Sequence, residues 1–210
     1  MRPGFTASDE LSALLQRALD ALQENSAAAA ALESAPAAVR ESLPLVFAAS
    51  DFIGQSCARD AKLLPALVER GDLQRTLTAV DFATRAPTFA AATNEPGAST
   101  RLIPETDALA DLRRWRRHEM VRIAWRDLAG WAALPETLSD LSAFADAAIN
   151  LAVQYARGGL VARYGEPRSA AGAVQPLVVL AMGKLGGGEL NFSSDVDRSE
   201  EHTSELQSLV

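Results

Sequence analysis

A single cysteine, Cys57, stands in the whole chain. That excludes an intramolecular disulfide framework and any cysteine-rich metal site. Histidine is almost as scarce, with His118 and His202 the only two. His118 has no partner nearby in sequence, so it reads as a surface or packing residue rather than a ligand or general base. Positive charge is in deficit: 20 Lys and Arg face 27 Asp and Glu, for a net charge of −7 and a pI near 4.9. This balance argues against sequence-independent nucleic-acid binding, which needs cations to displace the counterions of the backbone. The apolar run Leu177 to Met182 is far shorter than the ~20 residues a membrane-spanning helix requires. Residues Met1 to Asp9 contain no apolar stretch of the kind that a secretion signal carries. A soluble, cytoplasmic protein is therefore expected. No repeat of fixed period is present, which disfavours a solenoid. What remains is ordinary globular material: 210 residues, 48% hydrophobic and 22% charged, enough for one or two domains.

Helical periodicity dominates. Ser8-Asp9-Glu10 offers a cap and first-turn acids, and Leu11, Leu14, Leu15, Ala18, Leu19 and Leu22 then recur at helical spacing. Ala27 to Ala31 favours helix, and Pro36 ends that helix or begins the next. Ser50-Asp51 caps a segment holding Phe52, Ile53 and Cys57, and Leu63 to Val68 ends at Gly71. Leu73, Leu77, Val80 and Phe82 suggest another short helical face. From Pro87 to Pro104 the pattern fails, and Thr93 to Thr100 reads as a loop or linker. Thr106-Asp107 is expected to cap a long helix closed near Gly130. A further helix is expected from about Glu136 to Arg157, interrupted at Gly158-Gly159, and a loop from Tyr164 to about Gln175 follows. Pro176 to Met182 is short, apolar and partly β-branched, which reads as a buried strand.

Arg113, Arg114, Arg116, Arg117, Arg122 and Arg126 lie on the long helix, with Trp115 and Trp125 among them. They allow an anion-binding surface. A solvated face whose arginine stems pack over the tryptophans is the reading favoured by the net charge. Trp131 reads as a packing anchor and Cys57 as a core residue.

The stretch that carries chemistry runs from Met182 to Asp197. It places a glycine-rich turn after a strand and an Asp-x-Asp pair, Asp195 and Asp197, eight residues beyond Gly187. A phosphate-binding P-loop is absent, because Val178 and Leu185 occupy positions that would need Gly and Ser or Thr. A dinucleotide fingerprint fails too, with Leu185 where a glycine belongs. Two acids alternating along a strand point the same way, and such a pair suits Mg²⁺, which prefers oxygen ligands. Two such ions would stabilise the entering and leaving oxygens of a displacement at phosphorus. Glycines let backbone N–H groups approach phosphate oxygens, Lys184 adds a point charge, and Ser193 or Ser194 a hydroxyl.

The run Val178 to Asp197 resembles the signature of the glutamine synthetase adenylyltransferase/adenylyl-removing enzyme family. Its Glu189-Leu190-Asn191-Phe192-Ser193-Ser194-Asp195 form is similar to that family's N-terminal, adenylyl-removing half. Arg122 to Gly130 and Ser50-Asp51-Phe52 resemble the family as well. The resemblance implies a polymerase-β-like nucleotidyltransferase. Its N-terminal half removes AMP from a tyrosine of glutamine synthetase with orthophosphate, releasing ADP. Its C-terminal half attaches AMP from ATP, and a nitrogen regulatory signal protein and glutamine set the balance. Carried over by position, Asp195 and Asp197 are the catalytic metal ligands for Mg²⁺ or Mn²⁺. Gly183, Lys184, Gly186, Gly187 and Ser194 form the nucleotide-binding turn.

The chain departs from the family after Asp197. An apolar strand is expected there, yet Arg198-Ser199-Glu200-Glu201 follows, and a buried strand cannot continue through such residues without a large desolvation cost. Arg198 to Val210 resembles the in-frame translation of a common short-read sequencing adapter, a kind of segment to be set aside in fold reasoning. A third metal-binding carboxylate is missing. The expectation is thus a mainly α chain: a helical region over 1–165, the truncated start of an α/β nucleotidyltransferase domain over 166–197, and a non-native tail over 198–210. Such a chain would be inactive alone. The alternative is a non-catalytic helical module that binds a protein partner; neither reading involves nucleic acid or membrane.

Overall fold

The computed structural model describes residues 9–89, 102–195 and 198–201. It is mainly helical, and its residues gather into two compact units, each built from two separate stretches of chain. The first unit comprises residues up to 77 together with 114–137; the second takes 78–113 and 138 onward.

In the first unit, α1 (Asp9–Gln23) leads to α2 (Ser26–Ser34), whose start is fixed by the Asn25 side chain accepting from the Ala28 amide at 3.1 Å. Pro36, which has no N–H to lose, stands at the N-cap of α3 (Ala37–Ala49). Arg40 on α3 donates to the carbonyls of Glu33 and Ala35, groups that the end of α2 leaves open. Ser50 alone separates α3 from α4 (Asp51–Arg59), and α5 (Leu63–Glu69) closes at Gly71, which takes a φ of 63°. The apolar faces of these helices meet in one core of Leu22, Val39, Val46, Phe47, Ile53 and their neighbours. Cys57 lies fully buried in it, as expected, and burial with nearby Asp60 pushes its thiol up to about 12. Trp131 packs against the same core, although the helix has already ended before it.

Helix α7 (Glu105–Leu128) begins just before the expected cap and carries Glu105 and Asp107 in its first turn, where acids suit the helix dipole. Its arginines divide. Arg113, Arg114, Arg116 and Arg117 are exposed, whereas Arg122 and Arg126 are buried. The solvated-face reading therefore fails for these two. Their guanidinium groups serve the segment after α5, which is not the helix that Leu73, Leu77, Val80 and Phe82 suggested. Residues 75–78 are irregular there, and the helix α6 (Ala79–Arg85) begins only after them, behind a Thr78–Asp81 capping box. Leu73 and Leu77 still reach the interior, but Val80 points to solvent. Such an irregular segment leaves carbonyls without partners. Arg122 donates to the carbonyl of Arg75 at 2.8 Å, and Arg126 donates to that of Leu73 at 3.0 Å. Arg126 also meets Glu136 at 2.6 Å. Next to Arg126 on the same helix, Trp125 donates its indole N–H to Ser42 Oγ at 2.9 Å and meets the Phe47 ring edge-on. His118 lies half-buried beside the buried Glu119, 3.5 Å from its carboxylate.

The second unit is built on α8 (Leu134–Tyr164), whose residues from 138 belong to it. This helix runs through Gly158-Gly159, where an interruption was expected. The glycine there makes room: a Cβ on Gly158 would stand 3.2 Å from Leu102 Cδ1. Phe82 and Phe144 pack together, and Phe89 sets its ring against Tyr155, whose hydroxyl donates to the Ile103 carbonyl. After the loop that follows α8, β1 (Val178–Ala181) pairs antiparallel with β2 (Arg198–Glu201) in the register Val178 to Glu201. A one-turn helix, α9 (Gly183–Gly186), lies between them. Strand β1 is mostly exposed rather than buried, since a two-stranded ribbon leaves both of its faces uncovered. No helix among the described residues is long and apolar enough to cross a membrane.

Two outcomes are expected. Arg126→Met, which strips donors from the Leu73 carbonyl and Glu136, should lower stability by about 3 kcal/mol. Urea unfolding followed by tryptophan fluorescence reads this, and Arg126→Lys should restore less than half of it because an ammonium cannot span the Leu73 carbonyl, the Thr76 hydroxyl and Glu136 together. An unchanged midpoint would contradict the clamp. Second, the Cys57 thiol should resist a disulfide reagent at pH 8 and react fully once urea unfolds the chain. With its folded value raised from 9.0 to about 12, its contribution to stability is complete below pH 9 and is lost as pH climbs from there toward 12.

Candidate active site

The glycine-rich turn begins where β1 ends. Met182 is the last extended residue, and Gly183 then takes a φ of 55°, which L side chains rarely adopt. Gly186 is demanded for a different reason: a Cβ there would lie 2.5 Å from the Ala181 carbonyl oxygen, a backbone atom that cannot swing aside. Gly187 is under neither constraint, with an ordinary φ of −82° and nothing nearer than 3.6 Å to an added Cβ. Gly188 returns to a positive φ of 69° and turns the chain out of the helix.

The turn was expected to offer backbone N–H groups to phosphate. Those of Gly186, Gly187 and Gly188 are engaged inside it, donating to the carbonyls of Met182, Gly183 and Leu185, and that of Glu189 donates to Lys184. Leu185 and Leu190, both buried, root the turn in the second unit. Ser142 on α8 adds a polar tie that sequence reasoning missed. It accepts from the Leu190 amide at 3.1 Å and donates to the Leu138 carbonyl at 2.8 Å. Nothing local marks this residue, because its partner lies 48 residues further along the chain.

Beyond Leu190 the chain folds back on itself. Asn191 Oδ1 accepts from the Ser193 amide at 3.1 Å and from the Ser194 hydroxyl at 2.8 Å, while Ser194 Oγ accepts from the Asn191 amide at 3.2 Å. Ser194, expected to touch a nucleotide, thus braces this turn. Asp195 follows it, exposed and outside any strand. Just before it, the Asn191 bonds curl residues 191–194 into a turn. Asp197 lies outside the described residues. Lys184, Ser193 and Asp195 are all exposed and carry the free polar chemistry of this region. Among the described residues, no group of three His, Cys, Asp or Glu comes together to hold a metal ion.

Residues 40–208 match the family model described as glutamate-ammonia ligase adenylyltransferase. The bifunctional glutamine synthetase adenylyltransferase/adenylyl-removing enzyme of Thioalkalivibrio sulfidiphilus is 47% identical over 157 residues, covering 75% of this chain and 15% of its own. The enzyme of the same name from Pseudomonas aeruginosa is 39% identical over 200 residues, covering 91% of this chain and 18% of its own. That from Shewanella loihica is 40% identical over 157 residues, 75% of this chain and 15% of its own. The chain thus spans less than a fifth of the length of the relatives it matches.

The two neighbouring glycines should respond differently to alanine. Gly186→Ala should destabilise the turn by about 1–3 kcal/mol through overpacking against Ala181, and Gly187→Ala by well under 1 kcal/mol. Amide hydrogen exchange at Glu189 and Leu190 reads the local opening directly. Equal protection in the two variants would show that the close approach at Gly186 does not hold the turn.

Proposed function

The chain belongs to the glutamate-ammonia ligase adenylyltransferase family, and from that premise we propose that it forms the lead-in and active-site turn of a larger, bifunctional nucleotidyltransferase acting on glutamine synthetase. One observation carries the assignment of half. The run Glu189 to Asp195 has the form of the adenylyl-removing half, and it follows directly on the glycine turn anchored at Gly186 and Leu190. In this reading residues 1–165 are the helical region, 166–197 open the nucleotidyltransferase domain, and 198–210 are a tail foreign to it.

The proposed reaction is phosphorolysis. An oxygen of orthophosphate attacks the phosphorus of AMP on a tyrosine of glutamine synthetase. The bond from phosphorus to the tyrosyl oxygen breaks, ADP leaves, and the tyrosyl oxygen takes up a proton. Lys184 faces the phosphates as a point charge beside Gly183, Gly186 and Gly187. Asp195 and Asp197 are the carboxylates for Mg²⁺ or Mn²⁺ in the intact enzyme. The 210-residue chain alone is inactive in this reading. The whole enzyme works in the cytoplasm, uses ATP in its other half, and answers to a nitrogen regulatory signal protein.

The test uses the full-length parent. Asp195→Ala should cut phosphate-dependent ADP release from adenylylated glutamine synthetase by roughly 10²–10³-fold or more. ATP-dependent adenylylation should persist and the fold should be unchanged by circular dichroism. Retained ADP release would sink the proposal. Loss of adenylylation with release intact would move the motif to the other half.

A further inference from the structure

Four arginines of α7 take no part in the interior of the protein. Arg113, Arg114, Arg116 and Arg117 are exposed, in contrast to the buried Arg122 and Arg126 of the same helix. At about 100° per residue, Arg113, Arg116 and Arg117 share one face, opposite the buried Ala108, Trp115 and Glu119. Leu109 stands on that face too, one turn before Arg113, and is 41% exposed. All of these side chains belong to one uninterrupted helix, so their spacing is that of the helix itself.

The face is not neutralised from within the helix. An arginine on a helix surface is offset by an acid three or four residues away. Around Arg113 those positions hold Leu109, Ala110, Arg116 and Arg117, and around Arg117 they hold Arg113, Arg114, Met120 and Val121. Asp111 and Glu119 stand three residues from Arg114 and Arg116, but the first is half-buried and the second buried. Arg113 and Arg117 therefore meet at a spacing where like charges destabilise a helix. A chain of net charge −7 thus maintains a concentrated cationic face at a cost to its own stability.

We infer that this face of α7 docks an acidic segment of a partner protein, one in which carboxylates flank an apolar side chain. Guanidinium groups pair with carboxylates through two parallel hydrogen bonds. The exposed leucine among them supplies the apolar contact around which a polar rim gathers. A nucleic acid would offer Leu109 phosphate and sugar rather than an apolar side chain, and the surplus of negative charge on the chain opposes it. A small anion fits poorly, since side chains radiating from a convex helix cannot enclose it and a single exposed ion pair is worth little in water. A segment bearing several carboxylates engages the arginines together, and the weak pairs then add up. This docking is independent of the reaction proposed for the glycine-rich turn.

The probe is a fluorescein-labelled peptide of glutamates interrupted by leucine, into which the 210-residue chain is titrated while anisotropy is followed. Saturation is expected below about 1 mM in dilute buffer. Binding should weaken ~10-fold or more once salt shortens the Debye length to about 8 Å. Arg117→Glu gives Arg113 an acidic partner four residues on, so it should weaken binding ~10-fold without lowering the melting temperature. Lys62→Glu, an equal change of charge at the start of α5, should leave binding within about twofold. Leu109→Ser should weaken the leucine-bearing peptide and leave a peptide of glutamates alone unaffected. The inference is overturned by no saturation, by equal losses in Arg117→Glu and Lys62→Glu, or by an oligonucleotide of matching charge that binds more tightly than the peptide. Indifference of the leucine-bearing peptide to Leu109→Ser would overturn it too, leaving bare charge attraction.

Discussion

The buried guanidinium groups of Arg122 and Arg126 are the constraint on which the first unit depends. A segment that leaves helix inside a protein must find partners for its carbonyls or lose the free energy of burying them bare. Residues 73–75 are such a segment, and the two arginines, one turn apart on α7, reach two of its carbonyls. Arg126 then uses a second arm on Glu136, so a single planar group ties the segment, α7 and the start of α8. Taking two cations out of water is costly, and multiple well-aligned acceptors offset that cost. The interior of the unit is therefore arranged around α7, with Val121 and Trp125, each directly before one of the arginine anchors, meeting the apolar core.

The second unit solves a different problem, which is how to hold an exposed loop in one conformation. Its solution is steric as much as polar. Gly186 sits so close to the Ala181 carbonyl that no side chain fits, and that contact keeps the turn pressed against the strand before it. Leu185 and Leu190 then bury themselves on either side of the glycines, and Ser142 fixes the Leu190 amide. Asp195 inherits its position from this chain of anchors and from the Asn191 turn. Gly183, Gly186 and Gly188 thus have a structural reason to be present, alongside the phosphate role proposed for Gly183 and Gly186.

Much of the helical plan was legible. Apolar residues at helical spacing, the start near Thr106-Asp107 and the stops at Gly71 and Gly130 are local signals, and local signals survive folding. The motif from Met182 to Asp195 was legible for the same reason, since its order and spacing lie in one continuous stretch. The errors have a common source. Leu73 and Leu77 sit at helical spacing, yet arginines distant in sequence stabilise an irregular backbone there. Gly158-Gly159 reads as a helix break, yet the approach of Leu102 makes a small residue fitting inside a continuous helix. Pro176 to Met182 reads as a buried strand from its composition, but burial needs covered faces, and among the described residues its sheet is a two-stranded ribbon.

By itself, then, the sequence determined the helices, the place where α/β texture begins, the absence of disulfide and cysteine-rich metal chemistry, and the motif that points to the family. Each of these rests on residue type and short spacing. Only the tertiary structure decided which arginines are solvated and which are buried, which glycine is sterically obligatory, and what fastens the turn. Those outcomes depend on which distant backbone comes within hydrogen-bonding or van der Waals reach. Ser142 at Leu190, Arg126 at Leu73 and Leu102 at Gly158 are contacts across 48, 53 and 56 residues of chain. No local pattern encodes such pairs, because each exists only once packing has brought its two halves together.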